Sequence, residues 1–365
     1  MNDHTALFTC VFFNIEQINL SYNIFKSDDP FTLESGYTLQ GYHLAYNTYG
    51  VLNDTKDNAV WIFHALTANS EATEWWPGLV GAGKLFDPEK YFIICVNMPG
   101  SCYGSIGPLD INPETGNSYY HDFPFFTPRD MILSYQPLRK YLGVEKIKIG
   151  IGGSMGGQQL LEWAIEEPDL LEYIFPVGTN AQHSSWGIAF NASQRMSIEA
   201  DGTWKDKNRK AGMEGMKAAR SIALISYRHY DTYHASQFEH QNEKIENYKS
   251  ESYQKYQGEK LAKRFNAFSY YFLSKGMDAH NVGRGRKSVE DALQLIEAKT
   301  LAIGITTDIL FPVSEQQFLA THIPNANFIS INSLYGHDGF LLEYEQLQHI
   351  ITQFLIKAKQ SKILN

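Results

Sequence analysis

Ile149-Gly150-Ile151-Gly152-Gly153-Ser154-Met155-Gly156-Gly157 is the stretch on which the fold turns. Residues 146–151 alternate isoleucine with lysine or glycine, as a short strand does, and residues 158–165 read as a helix closed by Pro168. Ser154 therefore falls at a strand-to-helix turn, with Gly152 and Gly156 completing G-x-S-x-G around it. Small neighbours let the backbone turn sharply and push the hydroxyl outward at the carboxyl edge of a sheet. The stretch predicts a nucleophile elbow; the plainer alternative is a glycine-rich turn with an incidental serine.

Outward from the elbow, residues 37–50 alternate large with small or polar side chains, with Tyr42, Leu44, Tyr46 and Thr48 on one side, as in an antiparallel strand or hairpin arm. Residues 59–64 and 91–97 are near-continuous apolar runs, the mark of strands buried on both faces. They run into the loops His64-Ala65-Leu66-Thr67-Ala68-Asn69-Ser70 and Met98-Pro99-Gly100-Ser101-Cys102-Tyr103-Gly104-Ser105. Thr127-Pro128-Arg129-Asp130 opens a helix that ends before Gly143. A further strand spans 172–178, and strands resume at 300–307 and 327–331, with a helix opened by Pro312 between them and an amphipathic C-terminal helix after them. Strand and helix in alternation imply an α/β fold with a mainly parallel sheet and flanking helices. From 182 to 298 the pattern changes to helices and polar loops without a clear buried strand. The expected organisation is a core built from 1–181 and 299–365, with 182–298 inserted as a helical lid over the active face; a separate domain is the alternative.

A chain of 365 residues with 43% hydrophobic content can bury a large core. Its formal charge of -9 offers no electrostatic footprint for nucleic acid. Cys10, Cys95 and Cys102 form an odd, scattered set that supports no disulfide framework and fits a reducing compartment. Residues 1–20 lack a basic n-region and a small-residue cleavage site, and no apolar run reaches membrane-spanning length, so a cytoplasmic protein is expected. The histidines lack paired ligand spacing and the cysteines do not cluster, so no metal site is expected.

Ser154, Asp308 and His337 all lie just past strand ends, in the chain order nucleophile, acid, base. A serine hydroxyl needs a base to accept its proton, and the base needs a carboxylate to fix its tautomer. Asp338 competes with Asp308 for that last role, but side chains adjacent in a loop usually diverge; Asp308 could also simply cap the helix near Pro312. A tetrahedral intermediate needs two backbone donors, here Met155 and an amide of the turn after residue 63. The second is assigned to Leu66, which sequence does not separate from Ala65 or Thr67. His64 and His183 fall outside the triad order and read as hydrogen-bonded structural histidines. Gly283-Arg284-Gly285-Arg286-Lys287 is a basic cluster able to touch phosphates, or else a solvated loop.

Several blocks together resemble the homoserine O-acyltransferase family of the α/β-hydrolase superfamily. They are His64-Ala65-Leu66-Thr67, Gly100 to Pro108, Thr127-Pro128-Arg129-Asp130-Met131, the elbow with Leu161-Glu162-Trp163-Ala164, and in the insertion His183 to Trp186, Gln194-Arg195, Ala219-Arg220, Ser226-Tyr227-Arg228, Glu251 to Gly258 and Arg264-Phe265. The resemblance spans roughly residues 37–342 and implies the α/β-hydrolase fold. It also implies that Ser154 is acylated by acyl-CoA, most simply acetyl-CoA, and passes the acyl group to L-homoserine in methionine synthesis. On the same footing, Arg220 and Tyr227 grip the homoserine carboxylate, Asp338 its ammonium group, and the enzyme is a homodimer with no permanently bound cofactor. An unpaired carboxylate beside the base suits an ammonium, and residues 264–273 could supply the interface between copies. Two departures, Ala68-Asn69-Ser70 after His-Ala-Leu-Thr and Gly100-Ser101-Cys102 after Pro99, bear on the choice of acetyl or succinyl donor and of homoserine or serine acceptor. A serine esterase of the same fold and a catalytically silent scaffold are the competing readings.

Overall fold

The computed structural model describes residues 22–363, so Cys10 and the N-terminal stretch read above lie outside it. Eight strands form one sheet: β1 (Asn23–Ser27), β2 (Tyr42–Tyr49), β3 (Ala59–Phe63), β4 (Phe92–Val96), β5 (Ile147–Gly153), β6 (Leu171–Val177), β7 (Lys299–Ile305) and β8 (Ala326–Ile331). Their spatial order is β1-β2-β4-β3-β5-β6-β7-β8. The pairs β1–β2 and β2–β4 are antiparallel and the other five are parallel. The chain leaves β3 towards β4 on one side and β5 towards β6 on the other. The carboxyl ends of β3 and β5, paired as far as Phe63 and Gly152, thus form a topological switch point, where sheets of this kind hold ligands.

Strands β3 and β4 are apolar throughout because both of their faces are covered. Val60 and Ile62 pack with Ile149, Ile151, Phe175, Val177 and Ile303 on one side. Trp61 and Phe63 pack with Tyr135 and Trp163 on the other, and the Trp61 and Trp163 rings meet edge to face at 4.8 Å. Burying a ring of this size contributes on the order of 5 kcal/mol. Trp163 belongs to α2 (Met155–Glu166), and Tyr135 to α1 (Pro128–Tyr141). Helix α1 starts where the sequence places it, because Thr127 and Asp130 exchange side-chain bonds with each other's amides at 3.1 and 3.0 Å.

Between β6 and β7 the chain forms α3 (Ser185–Glu199), α4 (Met213–Tyr227), α5 (Tyr230–Gln237), α6 (Lys249–Ala262), α7 (Ala267–Asp278) and a short helix, Val289–Leu293. Among the described residues this segment adds no strand to the sheet. Its Ile198, Met216, Phe268 and Tyr270 join the same buried cluster as Trp61 and Trp163. That corrects the expected use of 264–273 as a surface between copies: Phe268, Tyr270, Phe272 and Leu273 are buried within the chain, Phe272 against Phe123 and Phe268 against Trp204. Helices α8 (Val313–His322) and α9 (Tyr344–Ile363) complete the fold. No helix of the described residues is long and apolar enough to cross a membrane.

Candidate active site

Ser154 sits between β5 and α2 with φ 55° and ψ −126°, a conformation that strains a residue carrying a Cβ. Neighbouring bonds hold it there: its N–H donates to Val177 O at 3.0 Å, and its carbonyl accepts from Thr179 Oγ1 at 2.8 Å and Gly157 N–H at 2.9 Å. The flanking glycines are required by contact. A Cβ on Gly152 would lie 2.5 Å from the Gly156 carbonyl carbon and oxygen, and one on Gly156 would lie 2.1 Å from Phe63 O.

Asp308 follows β7 and uses its two carboxylate oxygens differently. Oδ1 accepts from Leu310 and Phe311 N–H, both at 2.8 Å, and so closes the turn before α8. Oδ2 accepts from His337 Nδ1 at 2.6 Å. Turn-closing and base-orienting are therefore compatible roles for one side chain. With its proton on Nδ1, His337 presents Nε2 as the basic atom. This nitrogen is buried and has no protein hydrogen-bond partner, Ser154 Oγ included. Such contacts tighten when substrate binds. Phe311, Phe340 and Tyr227 surround the ring at centroid distances of 5.0, 5.3 and 5.7 Å.

Ser154 and His337 line one cavity of about 350 Å³, together with Ala65, Leu66, Thr67, Arg220, Tyr227, Arg228, Arg264 and Asp338 among others. Met155 opens α2, so its N–H has no partner within the helix. Leu66 N–H has no acceptor among the described residues. Ala65, Leu66 and Thr67, the three residues of the turn, all line the cavity.

In the same cavity the Arg220 guanidinium lies 5.5 Å from the centroid of the Tyr227 ring and makes no ion pair among the described residues. Burial pushes the Tyr227 phenol up from its ordinary range. Asp338 differs from expectation: it is not unpaired, because its Oδ2 meets Arg228 Nη2 at 3.1 Å, while Arg228 Nε is buried without a partner. Arg228 directly follows Tyr227 at the end of α4, yet its adjacency in sequence gave no sign that it would reach Asp338. Arg264 also went unassigned. From the junction of α6 and α7 its Nη1 donates to Thr67 O and to Tyr103 OH, each at 2.5 Å.

Other candidates lie elsewhere. His183 is buried between Gln158 Nε2 at 3.4 Å and Asn191 Nδ2 at 3.3 Å, and burial lowers its pKa to about 4. Arg284 and Arg286 neither line the cavity nor form a solvated loop. Arg284 pairs with Glu34 at 2.8 Å, and Arg286 with Glu162 at 3.1 Å and with Glu166, while Arg129 pairs with all three carboxylates. The cluster is thus a cross-brace on α2, since the buried Glu162 carboxylate requires cations. Of the two departing loops, Ala68 and Asn69 line the cavity, whereas Ser101 and Cys102 face a second, polar cleft with Lys263 and Arg209. Burial raises the Cys102 thiol to about 12, so it is not a thiolate nucleophile. Among the described residues no group of His, Cys, Asp or Glu could hold a metal ion.

The family model described as alpha/beta hydrolase fold matches residues 58–344. The homoserine O-acetyltransferase of Cyclobacterium marinum is 48% identical over 93% of this chain and 97% of its own length. The crystal structure of homoserine O-acetyltransferase from Bacillus anthracis superposes with a TM-score of 0.85 at 26% identity, covering 92% of this chain and 97% of that one. Esterase E22 superposes with a TM-score of 0.82 at 24% identity, covering 92% of this chain and 99% of its own, a likeness of fold alone. With this sheet order, this elbow and relatives that match along nearly their whole length, the chain belongs to the homoserine O-acetyltransferase family of α/β-hydrolase-fold proteins.

Proposed function

We propose that this chain transfers an acetyl group from acetyl-CoA to the hydroxyl of L-homoserine through an acyl-Ser154 intermediate. The observation that carries this reading is Arg220, a cation without a carboxylate partner among the described residues, facing the same cavity as Ser154 and His337. An esterase acting on neutral esters has no use for a half-buried unpaired guanidinium, whereas an amino-acid acceptor brings a carboxylate to it.

In the first half-reaction His337 Nε2 takes the Ser154 proton as Oγ attacks the thioester carbonyl. The resulting oxyanion is met by the Met155 and Leu66 amides. Collapse breaks the C–S bond, and the departing thiolate takes the proton from His337 as free CoA. In the second half-reaction the acceptor hydroxyl gives its proton to Nε2 and attacks the acyl carbonyl, and Ser154 Oγ leaves with that proton. Arg220 and Tyr227 hold the acceptor carboxylate. Asp338 takes the ammonium, using the carboxylate oxygen that Arg228 does not engage. Residues 182–298 roof the cavity and keep water from the acyl-enzyme. On this reading the product feeds methionine synthesis and the enzyme works in the cytoplasm as a homodimer.

The test is CoA release from acetyl-CoA with and without acceptor. Release should stop after roughly one equivalent per active site when acceptor is absent and continue when L-homoserine is added. Release into water at a rate comparable to that with homoserine would establish the esterase reading instead. Running succinyl-CoA as donor and L-serine as acceptor in the same assay fixes both specificities.

A further inference from the structure

His64 follows β3 and is 1% exposed. Its Nε2 accepts from Met98 N–H at 3.1 Å. A backbone amide can only donate, so Nε2 carries no proton and the neutral ring must hold its proton on Nδ1. Nδ1 lies 2.9 Å from Ala65 O, which can only accept. The two contacts therefore fix one tautomer between them. Burial lowers the ring's pKa to about 4 and keeps it neutral near physiological pH.

The Ala65 carbonyl also accepts from Ala68 N–H at 3.0 Å. The described residues contain no cis peptide bond, so the N–H of Leu66 points opposite to the carbonyl of Ala65 across one planar unit. Two donors pulling Ala65 O one way thus aim Leu66 N–H the other way, and Leu66 borders the cavity beside Ser154 and His337. A carbonyl that accepts hydrogen bonds also polarises the N–H of its own peptide and makes it a better donor.

We propose that His64 is a positioning residue for the oxyanion hole, its Nδ1–H holding the Ala65–Leu66 peptide in the plane that presents the Leu66 amide to the developing oxyanion. This rests on Leu66 being the second oxyanion donor and Ser154 the nucleophile. His64 acts through one peptide plane and touches neither substrate nor serine. The ring that looks merely structural in sequence joins the turn after β3 to the loop after β4 and sets the direction of a catalytic dipole.

Two substitutions separate the bonds. The amide of Asn reaches the place of Nδ1, and that of Gln the place of Nε2. His64→Gln keeps an acceptor for Met98 N–H and loses the donor to Ala65 O. It should lower kcat of both half-reactions by about 10–100-fold, less than outright removal of a donor, with KM for acetyl-CoA within about twofold and a near-native melting temperature. His64→Asn keeps the donor and orphans Met98 N–H, so it should melt earlier while retaining the larger share of kcat. Nitrogen-15 NMR of the wild-type enzyme should show His64 in the Nδ1–H form from neutral pH down to mildly acidic pH. An Nε2–H tautomer overturns the proposal even if both variants misfold, as does a folded His64→Gln enzyme with wild-type kcat. Ser154→Ala is the control: if it is inert while His64→Gln is fully active, the proposal alone fails. If Ser154→Ala itself turns over, the covalent reading fails and takes the proposal with it.

Discussion

Gly156→Ala is the substitution for which the structure gives the most definite consequence. The new methyl carbon would stand 2.1 Å from Phe63 O and 2.8 Å from Phe63 C, where ordinary contact begins at 3.4 Å. Both atoms are backbone of β3, so no side chain can swing aside, and the start of α2 must lift from β3 by about 1 Å. Ser154 and Met155 ride on α2, while Leu66 follows β3, so the same displacement widens the gap between the two proposed oxyanion donors. A misplacement of about 1 Å costs on the order of 100-fold in rate, and overpacking of this kind about 1–3 kcal/mol in stability. Steady-state kcat and the acetyl-CoA burst measure the first effect, and a thermal melt the second. Gly202→Ala is the control, because its Cβ would meet nothing within 4 Å and its φ is not positive. Wild-type kcat in Gly156→Ala would refute the view that close backbone approach, rather than the serine alone, makes the elbow work.

Asp308→Asn keeps an oxygen for the Leu310 and Phe311 amides but turns an NH₂ towards His337 Nδ1, so kcat should fall by about 10⁴-fold with an unchanged melt; normal turnover would remove Asp308 from the mechanism. Arg220→Lys replaces a planar fork with a point charge and should slow deacylation by homoserine at least about tenfold while the acetyl-CoA burst survives; equal loss of both half-reactions would make Arg220 structural. Arg228→Met strands the Asp338 carboxylate, so the double variant Arg228→Met, Asp338→Asn should be more stable than the sum of the singles by about 1 kcal/mol or more; strict additivity would mean that the pair does not interact. Stability should also fall as pH drops from 6.5 towards 4. Burial holds His64 and His183 at about 4 against an ordinary 6.5, so in that window the unfolded chain binds protons that the folded one refuses. At about 1.4 kcal/mol per unit each histidine contributes on the order of 3 kcal/mol to the loss, and a flat melting temperature between pH 7 and 4.5 would contradict it.

The parts of the fold that could be read in the sequence are those set by local pattern. The elbow, the strands that deliver Asp308 and His337, and the helix capped by Thr127 each rest on spacing within a dozen residues. The edge strand β1 was missed because its five residues, mostly exposed, show little of the alternation that marks a half-buried strand. Pairings across long separations were equally hidden. Arg284 finds Glu34 250 residues away, and Arg228 finds Asp338 rather than solvent, with nothing in either neighbourhood to announce it. The aromatic run of 264–273 could equally supply a surface between copies on sequence grounds, because composition cannot distinguish a face that meets another molecule from one that meets Phe123 and Trp204. His64 was correctly read as hydrogen-bonded. The direction it gives to a neighbouring peptide depends on which ring nitrogen meets which backbone group, and only the fold settles that.

Arg264 grips the Thr67 carbonyl from between two helices of the segment that joins β6 to β7, so this wall of the cavity and the turn beside the nucleophile are fastened together. A wall tied in this way is masonry rather than a hinged door, because swinging it open would pull on the turn that carries the Leu66 amide. On this account both substrates reach Ser154 by a path that leaves the oxyanion turn in place.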